Sequence, residues 1–312
     1  MRVTLGFDTS CYTTSAAAVD EHGAVVAAER MLLPVREGQR GLRQSEAVFA
    51  HVRQMPQVME ALGRRLNGAQ IAAVCASARP RDGEDSYMPV FTVGLGHASV
   101  LASALGVPLY ETSHQQGHIA AGLIGHAAPE GPFVALHLSG GTTELLDCRD
   151  GDLILLGGSA DLHAGQLVDR LGVAMGLAFP CGARFEALAR QARERSLRFP
   201  ASVRGLDCSL SGAEAQAKRL LASGAPAQEV AYAVYDFLAR TLARLLASAA
   251  RQTGRQEALL CGGVASSALL RELLAKRLAG GVRLYFGQSA LSGDNAVGAA
   301  LLAADEAGGD AP

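Results

Sequence analysis

The chain has 312 residues, 49% of them hydrophobic, with 28 Lys plus Arg against 30 Asp plus Glu and a net charge of −2. At this length a folded chain buries about three quarters of its unfolded surface, which excludes disorder as the main state, and the near-neutral balance lacks the footprint of a stand-alone nucleic-acid binder. Six scattered cysteines without a Cys-x-x-Cys pair, and neither a signal-like leader nor an apolar membrane run, imply free thiols, a cytoplasmic location and no membrane contact.

Strands are predicted at residues 2–7, 15–19 and 24–29, with a polar hook of Asp8, Thr9, Ser10 and Cys11 joining the first two. A helix follows over 43–66, a strand over 71–76, a helix over 89–105 and a strand over 107–110; Ser113 reads as the cap of a further helix. The same grammar returns in the second half: a strand over 133–138, the hook Ser139-Gly140-Gly141-Thr142, and strands over 143–148 and 153–156. Then come helices over 163–175 and 227–253, a strand over 257–261, a helix over 266–278, a strand over 282–286 and a helix over 293–304.

Strand triplets followed by alternating helices and strands imply an α/β protein of two duplicated lobes with mixed sheets. The expected division is 1–128 for the first lobe, with a closing helix over 292–306 packing back on it, 129–291 for the second, and 307–312 as a flexible tail. Breaks are expected at 125–132, in the polar loop 79–88, and after Ala307.

Two hairpins tipped with Gly, Ser and Thr can aim N–H groups and hydroxyls at one anion held between the lobes, which suits a nucleotide phosphate chain. In Ser139-Gly140-Gly141-Thr142 the paired glycines permit positive φ and close approach to phosphate, although a tight β-turn fits the same residues. Gly262 and Gly263 follow an apolar strand, with Ser266 and Ser267 at a helix start; this reads as a nucleotide contact or as an ordinary capped turn. Asp169 can bond a ribose hydroxyl, and Asp161, Asp169 and Glu186 all also fit a solvated helix face.

His114 and His118, at i and i+4 on one helical face, can give two ligands to one metal; Asp294 offers a third, and N/O donors suit Fe or Zn. The pair also fits chance spacing. A metalloprotease reading fails, because position 115 is Gln where that chemistry needs Glu as general base.

Taken in order, Gly6-Phe-Asp-Thr-Ser-Cys11, His51-Val-Arg53, His114/His118, Leu138-Ser-Gly-Gly141, Ala164-Gly-Gln-Leu-Val-Asp169, Phe179-Pro-Cys-Gly182, Ser209-Leu-Ser-Gly212, Gly262-Gly-Val264 and Asp294-Asn295 resemble one family. It is TsaD, the threonylcarbamoyl-adenosine tRNA synthase subunit once described as an O-sialoglycoprotein endopeptidase, and the likeness spans nearly the whole chain. The resemblance implies the two-lobed actin-like ATPase fold shared by sugar kinases and heat-shock ATPases. It implies a divalent metal, Fe or Zn, on His114, His118 and Asp294, and ATP or an acyl-adenylate held by Ser139, Gly140, Gly141, Asp169, Gly182 and the position of Ser267; Ser10, Leu138, Thr142, Glu186, Gly262 and Gly263 complete the expected ligand contacts. It implies transfer of a threonylcarbamoyl group to the adenosine beside a tRNA anticodon, with tRNA and TsaB-like and TsaE-like helper proteins as partners, and a homo- or heterodimer through the first lobe.

Tyr12 and Thr13, Gln116, Thr142, Ser267 and Glu214 depart from the family pattern, which marks a divergent paralogue. Glu214, standing where the family has Lys, and the charged loop with Arg79 and Arg81 open the alternative of carbamoyl or threonylcarbamoyl transfer to another acceptor. A further alternative is a non-catalytic nucleotide-binding partner docking through the first lobe, with His51 and the helix over 43–66 as its surface.

Overall fold

A computed structural model describes residues 1–35, 42–83, 85–125, 129, 131–149 and 151–309. The chain divides into two compact units, Met1–Ile124 with Ala290–Pro312, and Gly125–Ser289. The first begins with β1 (Arg2–Ser10), β2 (Thr13–Asp20), β3 (Val25–Leu32), α1 (Gln44–Leu66), β4 (Gln70–Arg79), α2 (Phe91–Leu105), β5 (Leu109–Ser113) and α3 (His114–Leu123). The second holds β6 (Phe133–Leu138), β7 (Thr143–Arg149), β8 (Asp152–Gly158), α4 (Ala164–Ala174), α5 (Gly182–Ala189), β9 (Ser202–Arg204) and β10 (Asp207–Ser209). It continues with α6 (Ser211–Ala222), α7 (Ala227–Thr253), β11 (Glu257–Cys261), α8 (Ala268–Leu278) and β12 (Arg283–Phe286), after which α9 (Val297–Gly309) returns to the first unit.

The two units repeat one topology. The sheet orders are β3-β2-β1-β4-β5 and β12-β11-β6-β7-β8, each an antiparallel triplet extended by two parallel strands. Alternation along β2 sorts its residues between two faces: Ala16 and Ala18 join the core under α1 and α2, while Ala17 and Val19 join Ala296, Val297 and Ala300 of the α9 segment. α1 turns Ala47, His51, Met55, Val58 and Leu62 inward at helical spacing, and full burial of a side chain such as Met55 or Leu62 contributes about 1.5–3 kcal/mol. In the second unit α7 is the central helix, its apolar face packed with that of β6 and with α5 and α8, and it stops at Gly254 in the left-handed conformation.

All six cysteines are free, and no helix among the described residues is long and apolar enough to cross a membrane. Several expectations need correction. Asp8, Thr9 and Ser10 are not a loop: they are strand residues paired with Ser15, Thr14 and Thr13, and only Cys11 and Tyr12 turn. α9 begins at Val297 rather than near 293, because Asn295 ties the preceding turn, donating to the Leu291 and Gly293 carbonyls and accepting from Val297 N–H. It continues through Gly309, beyond the expected tail boundary. The rest of that tail, 310–312, the expected break at 126–128 and 130, Glu84 and Asp150 lie outside the described residues. His51 is fully buried, so it is no docking surface.

Candidate functional site

Three close backbone approaches build the first cluster. A Cβ on Gly298 of α9 would collide with the Gly117 carbonyl of α3, and a Cβ on Gly6 of β1 would collide with the Ala296 carbonyl and meet Ala300 N at 2.6 Å. Only glycine lets α3, α9 and β1 come this near. α3 itself starts in a capping box: Ser113 Oγ accepts from Gln116 N–H at 3.2 Å, and Gln116 Oε1 accepts from Ser113 N–H at 3.0 Å. Gln116 therefore fills a structural position in which Glu would serve equally.

The result is a triangle of donors. His114 Nε2 and His118 Nε2 are 3.1 Å apart, and Asp294 Oδ1 lies 3.5 and 3.4 Å from them. A point equidistant from the three lies about 1.9 Å from each, so an ion only slightly out of their plane meets all three at the ~2.0–2.2 Å of metal–nitrogen and metal–oxygen bonds. The donor set and spacing thus fit one divalent ion, and this is the only such group among the described residues.

Around the triangle stands a supporting shell that sequence reasoning missed. Asp8 Oδ2 lies 2.7 Å from His114 Nδ1, Asp8 Oδ1 accepts from Ser10 N–H at 3.1 Å, and Ser10 Oγ donates to Asp294 Oδ2 at 2.8 Å. The carboxylate on Nδ1 holds the proton there and leaves Nε2 as the lone-pair donor. Without metal, burial acts to lower the His114 pKa, yet Asp8 and Asp294 outweigh it and raise it well above the ordinary imidazole value. Burial likewise acts to raise Asp294, and its bonds to His114 and His118 hold it well below the usual carboxylate range. The period-2 alternation of β1, which sends Asp8 and Ser10 to one face, was the available signal for this shell.

The other predicted contacts, Ser10 apart, gather in the second unit. Ser139 N–H donates to Thr142 O at 3.0 Å, closing the hook, and Gly165 at the start of α4 seats it: a Cβ there would meet Ser139 O and Gly140 Cα at 2.6 Å. Gly140 and Gly141 are not at positive φ as expected; their contribution is room, since a Cβ on either, or on Gly182 or Gly263, meets nothing within 4 Å. Gly262 is the one with positive φ, 91°, and it passes against the Leu138 carbonyl. The Leu138 side chain is fully buried in the core.

Asp169 Oδ1 accepts from Cys181 N–H at 2.7 Å, and burial raises its pKa. Glu186 Oε1 accepts from Leu269 N–H at 2.9 Å while Ser267 Oγ accepts from Leu270 N–H at 3.3 Å, so both serve the N-terminus of α8. Asp161 does the same for α6, accepting from Leu210 N–H at 2.8 Å and Ser211 Oγ at 2.5 Å. Glu214 is not the exposed negative charge its position suggested. It is buried, 2.5 Å from Lys218 Nζ and 3.5 Å from Arg170 Nη1, so its charge is met within the second unit.

Against known proteins, the family model TsaD, tRNA N6-adenosine threonylcarbamoyltransferase, matches residues 36–301. A tRNA N6-adenosine threonylcarbamoyltransferase of Thermus thermophilus is 33% identical over 308 residues, covering 96% of this chain and 91% of its own. Among solved structures, HypF of T. kodakarensis is similar with TM-score 0.68 at 15% identity, over 99% of this chain and 48% of that one. A ROK family glucokinase from Streptomyces griseus, in complex with glucose and AMPPNP, is similar with TM-score 0.56 at 15% identity, over 96% and 98%. At such identity the likeness is one of fold, the actin-like ATPase fold.

Proposed function

This chain belongs to the TsaD family of tRNA N6-adenosine threonylcarbamoyltransferases, and from that membership we propose how its own residues serve the reaction. The enzyme transfers a threonylcarbamoyl group to tRNA adenosine. In our reading the donor is threonylcarbamoyl-adenylate and the acceptor is the N6 amine of the adenosine beside the anticodon. The N6 lone pair forms a bond to the carbamoyl carbon, the bond from that carbon to the phosphate oxygen breaks, AMP leaves with the electron pair, and the N6 proton passes to water.

The observation that carries this reading is the triangle of His114, His118 and Asp294. A divalent ion held there, Fe or Zn, supplies Lewis-acid polarisation of the oxygen-rich donor. Asp8 fixes the His114 ring and its proton, and Ser10 steadies Asp294. The hook from Ser139 to Thr142, with Asp169, Gly182, Gly262, Gly263 and the α8 start at Ser267, is assigned to the adenylate: backbone N–H groups and uncovered glycine surfaces suit phosphate and ribose. ATP is the second ligand of the same hook. TsaB-like and TsaE-like helpers, or a second copy, are assigned to the α1–α2 face, a reading supported by exposed Val52 and Val100, which line an apolar groove of about 820 Å³. The free cysteines support a cytoplasmic setting.

The test is transfer of labelled threonylcarbamoyl from the adenylate to unmodified tRNA, with and without helper proteins, by wild type and His114→Ala. Label on tRNA with wild type and its loss with the variant is expected. Folded wild type that binds the adenylate yet never labels tRNA would overturn the proposal.

A further inference from the structure

The net charge of −2 conceals a strongly local distribution. Residues 190–204 contain five arginines, at 190, 193, 195, 198 and 204, against Glu194 alone. The segment is pinned to α7 at several points. Glu229 accepts from the N–H groups of Arg193, Glu194 and Arg195 at 2.7, 3.1 and 2.8 Å, which fixes this stretch of backbone, and its charge also acts on Arg195. The Arg195 guanidinium lies 4.6 Å over the Tyr232 ring, and Arg240 Nη2 donates to Phe199 O at 2.7 Å.

At the centre sits buried Asp236, met by Arg240 Nε at 2.9 Å, Arg277 Nη2 at 2.5 Å and Arg198 Nε at 3.7 Å. One carboxylate cannot balance three guanidinium groups, so two positive charges stay uncompensated. Arg193 adds a further charge, and Arg244, one turn beyond Arg240, is exposed between buried Ala243 and Leu245. Neither Arg193 nor Arg244 makes a side-chain hydrogen bond or ion pair among the described residues. Arg190, by contrast, is engaged by Glu186 and Glu272, and Arg204 stands opposite Asp207 in the β9–β10 hairpin.

Guanidinium groups held in fixed positions match phosphate oxygens bidentately. Protein interfaces are instead centred on buried apolar or aromatic anchors. None of the exposed large hydrophobic residues falls in 190–204, on α7 or on α8. We propose that this arginine platform, anchored on Asp236 and Glu229 and presenting Arg193, Arg195, Arg198, Arg240, Arg244 and Arg277, grips the sugar–phosphate backbone of the tRNA substrate. The proposal rests on the tRNA reading above and adds the surface that makes the contact.

The experiment measures equilibrium binding of the full chain to unmodified tRNA across a salt series. Wild type is compared with Arg193→Ala/Arg244→Ala, and with Arg64→Ala/Arg65→Ala on α1 as a control of equal charge loss; thermal melts confirm folding. Each phosphate contact contributes about 0.7–0.9 to the slope of log K against log salt, or roughly sixfold in affinity at ~0.1 M relative to 1 M salt. The platform variant is therefore expected to lose about 40-fold in affinity and about 1.5 from the slope, the control essentially nothing. A platform variant that binds like wild type, or a control that loses as much, overturns the platform alone. Wild type that fails to bind tRNA even at low salt, both with and without the helper proteins, overturns the tRNA reading and the platform with it.

Discussion

Replacing Asp8 by Asn tests whether the candidate metal site at His114, His118 and Asp294 depends on its supporting shell. Asp8 uses two oxygens: Oδ2 faces His114 Nδ1 at 2.7 Å and Oδ1 accepts from Ser10 N–H at 3.1 Å. Asn has a single acceptor, so one of the two bonds is lost and an amide N–H faces a donor instead. Either His114 loses its ring orientation, or Ser10 and through it Asp294 Oδ2 are released. Loss of such a carboxylate partner weakens metal binding by about 10–100-fold, or about 1.4–2.8 kcal/mol. The assay is equilibrium competition for Co²⁺ or Zn²⁺ against a chromophoric chelator, with wild type, Asp8→Asn and His118→Ala side by side. His118→Ala should lose binding outright, and Asp8→Asn should fall between. Unchanged affinity in Asp8→Asn, with binding abolished in His118→Ala, would refute the shell while keeping the ligand set.

In chelator-treated protein, the raised His114 pKa contributes stability that is full below about pH 6.5 and is lost as pH rises through the folded value. The depressed Asp294 pKa contributes stability that is full above about pH 3.9 and is lost as pH falls through its folded value. Urea unfolding of wild type against Asp294→Asn should thus show a stability difference that is flat between about pH 4 and 6.5 and shrinks on both sides; a difference growing above that range contradicts the assignment. Gly298→Ala, which must push α9 off Gly117, should cost about 1–3 kcal/mol and weaken metal binding, whereas Gly63→Ala, in open space on α1, should gain up to about 1 kcal/mol; calorimetry and the chelator competition read both. Gly165→Ala displaces the hook at Ser139 and Gly140 and should lower adenylate-dependent turnover by up to about 100-fold while metal affinity stays at the wild-type value.

The strand triplets, the long helix from Ala227 to Thr253 and the strand from Glu257 to Cys261 were legible because their periodicity and turn residues are local. Residues 182–222 were not. α6 takes its N-terminal partner from Asp161, 50 positions away from Ser211, and a cap supplied across the fold leaves no local mark. The same reason hid the role of Asp8, whose partner His114 lies 106 residues on, although the His pair and Asp294 themselves stood out by residue type. His51 misled in the opposite direction. A histidine on a long helix reads as surface, but the Thr14 hydroxyl 2.8 Å from Nδ1 accommodates it inside.

The charge sum speaks for the whole chain and leaves room for a local basic patch. A net of −2 describes the field far from the molecule, and at physiological ionic strength that field decays over about 8 Å. An RNA phosphate in contact with the surface responds to the charges within that distance. Near Glu214 the two cations Lys218 and Arg170 oppose one carboxylate, whereas around Asp236 three guanidinium groups oppose one carboxylate and the positive excess is larger. A near-neutral chain and a strong local hold on polyanions are therefore compatible, provided the arginines are clustered by tertiary contacts. The clustering depends on Asp236: replacing it would remove the single charge that lets Arg198, Arg240 and Arg277 approach one another, and their mutual repulsion would then act against the folded second unit itself.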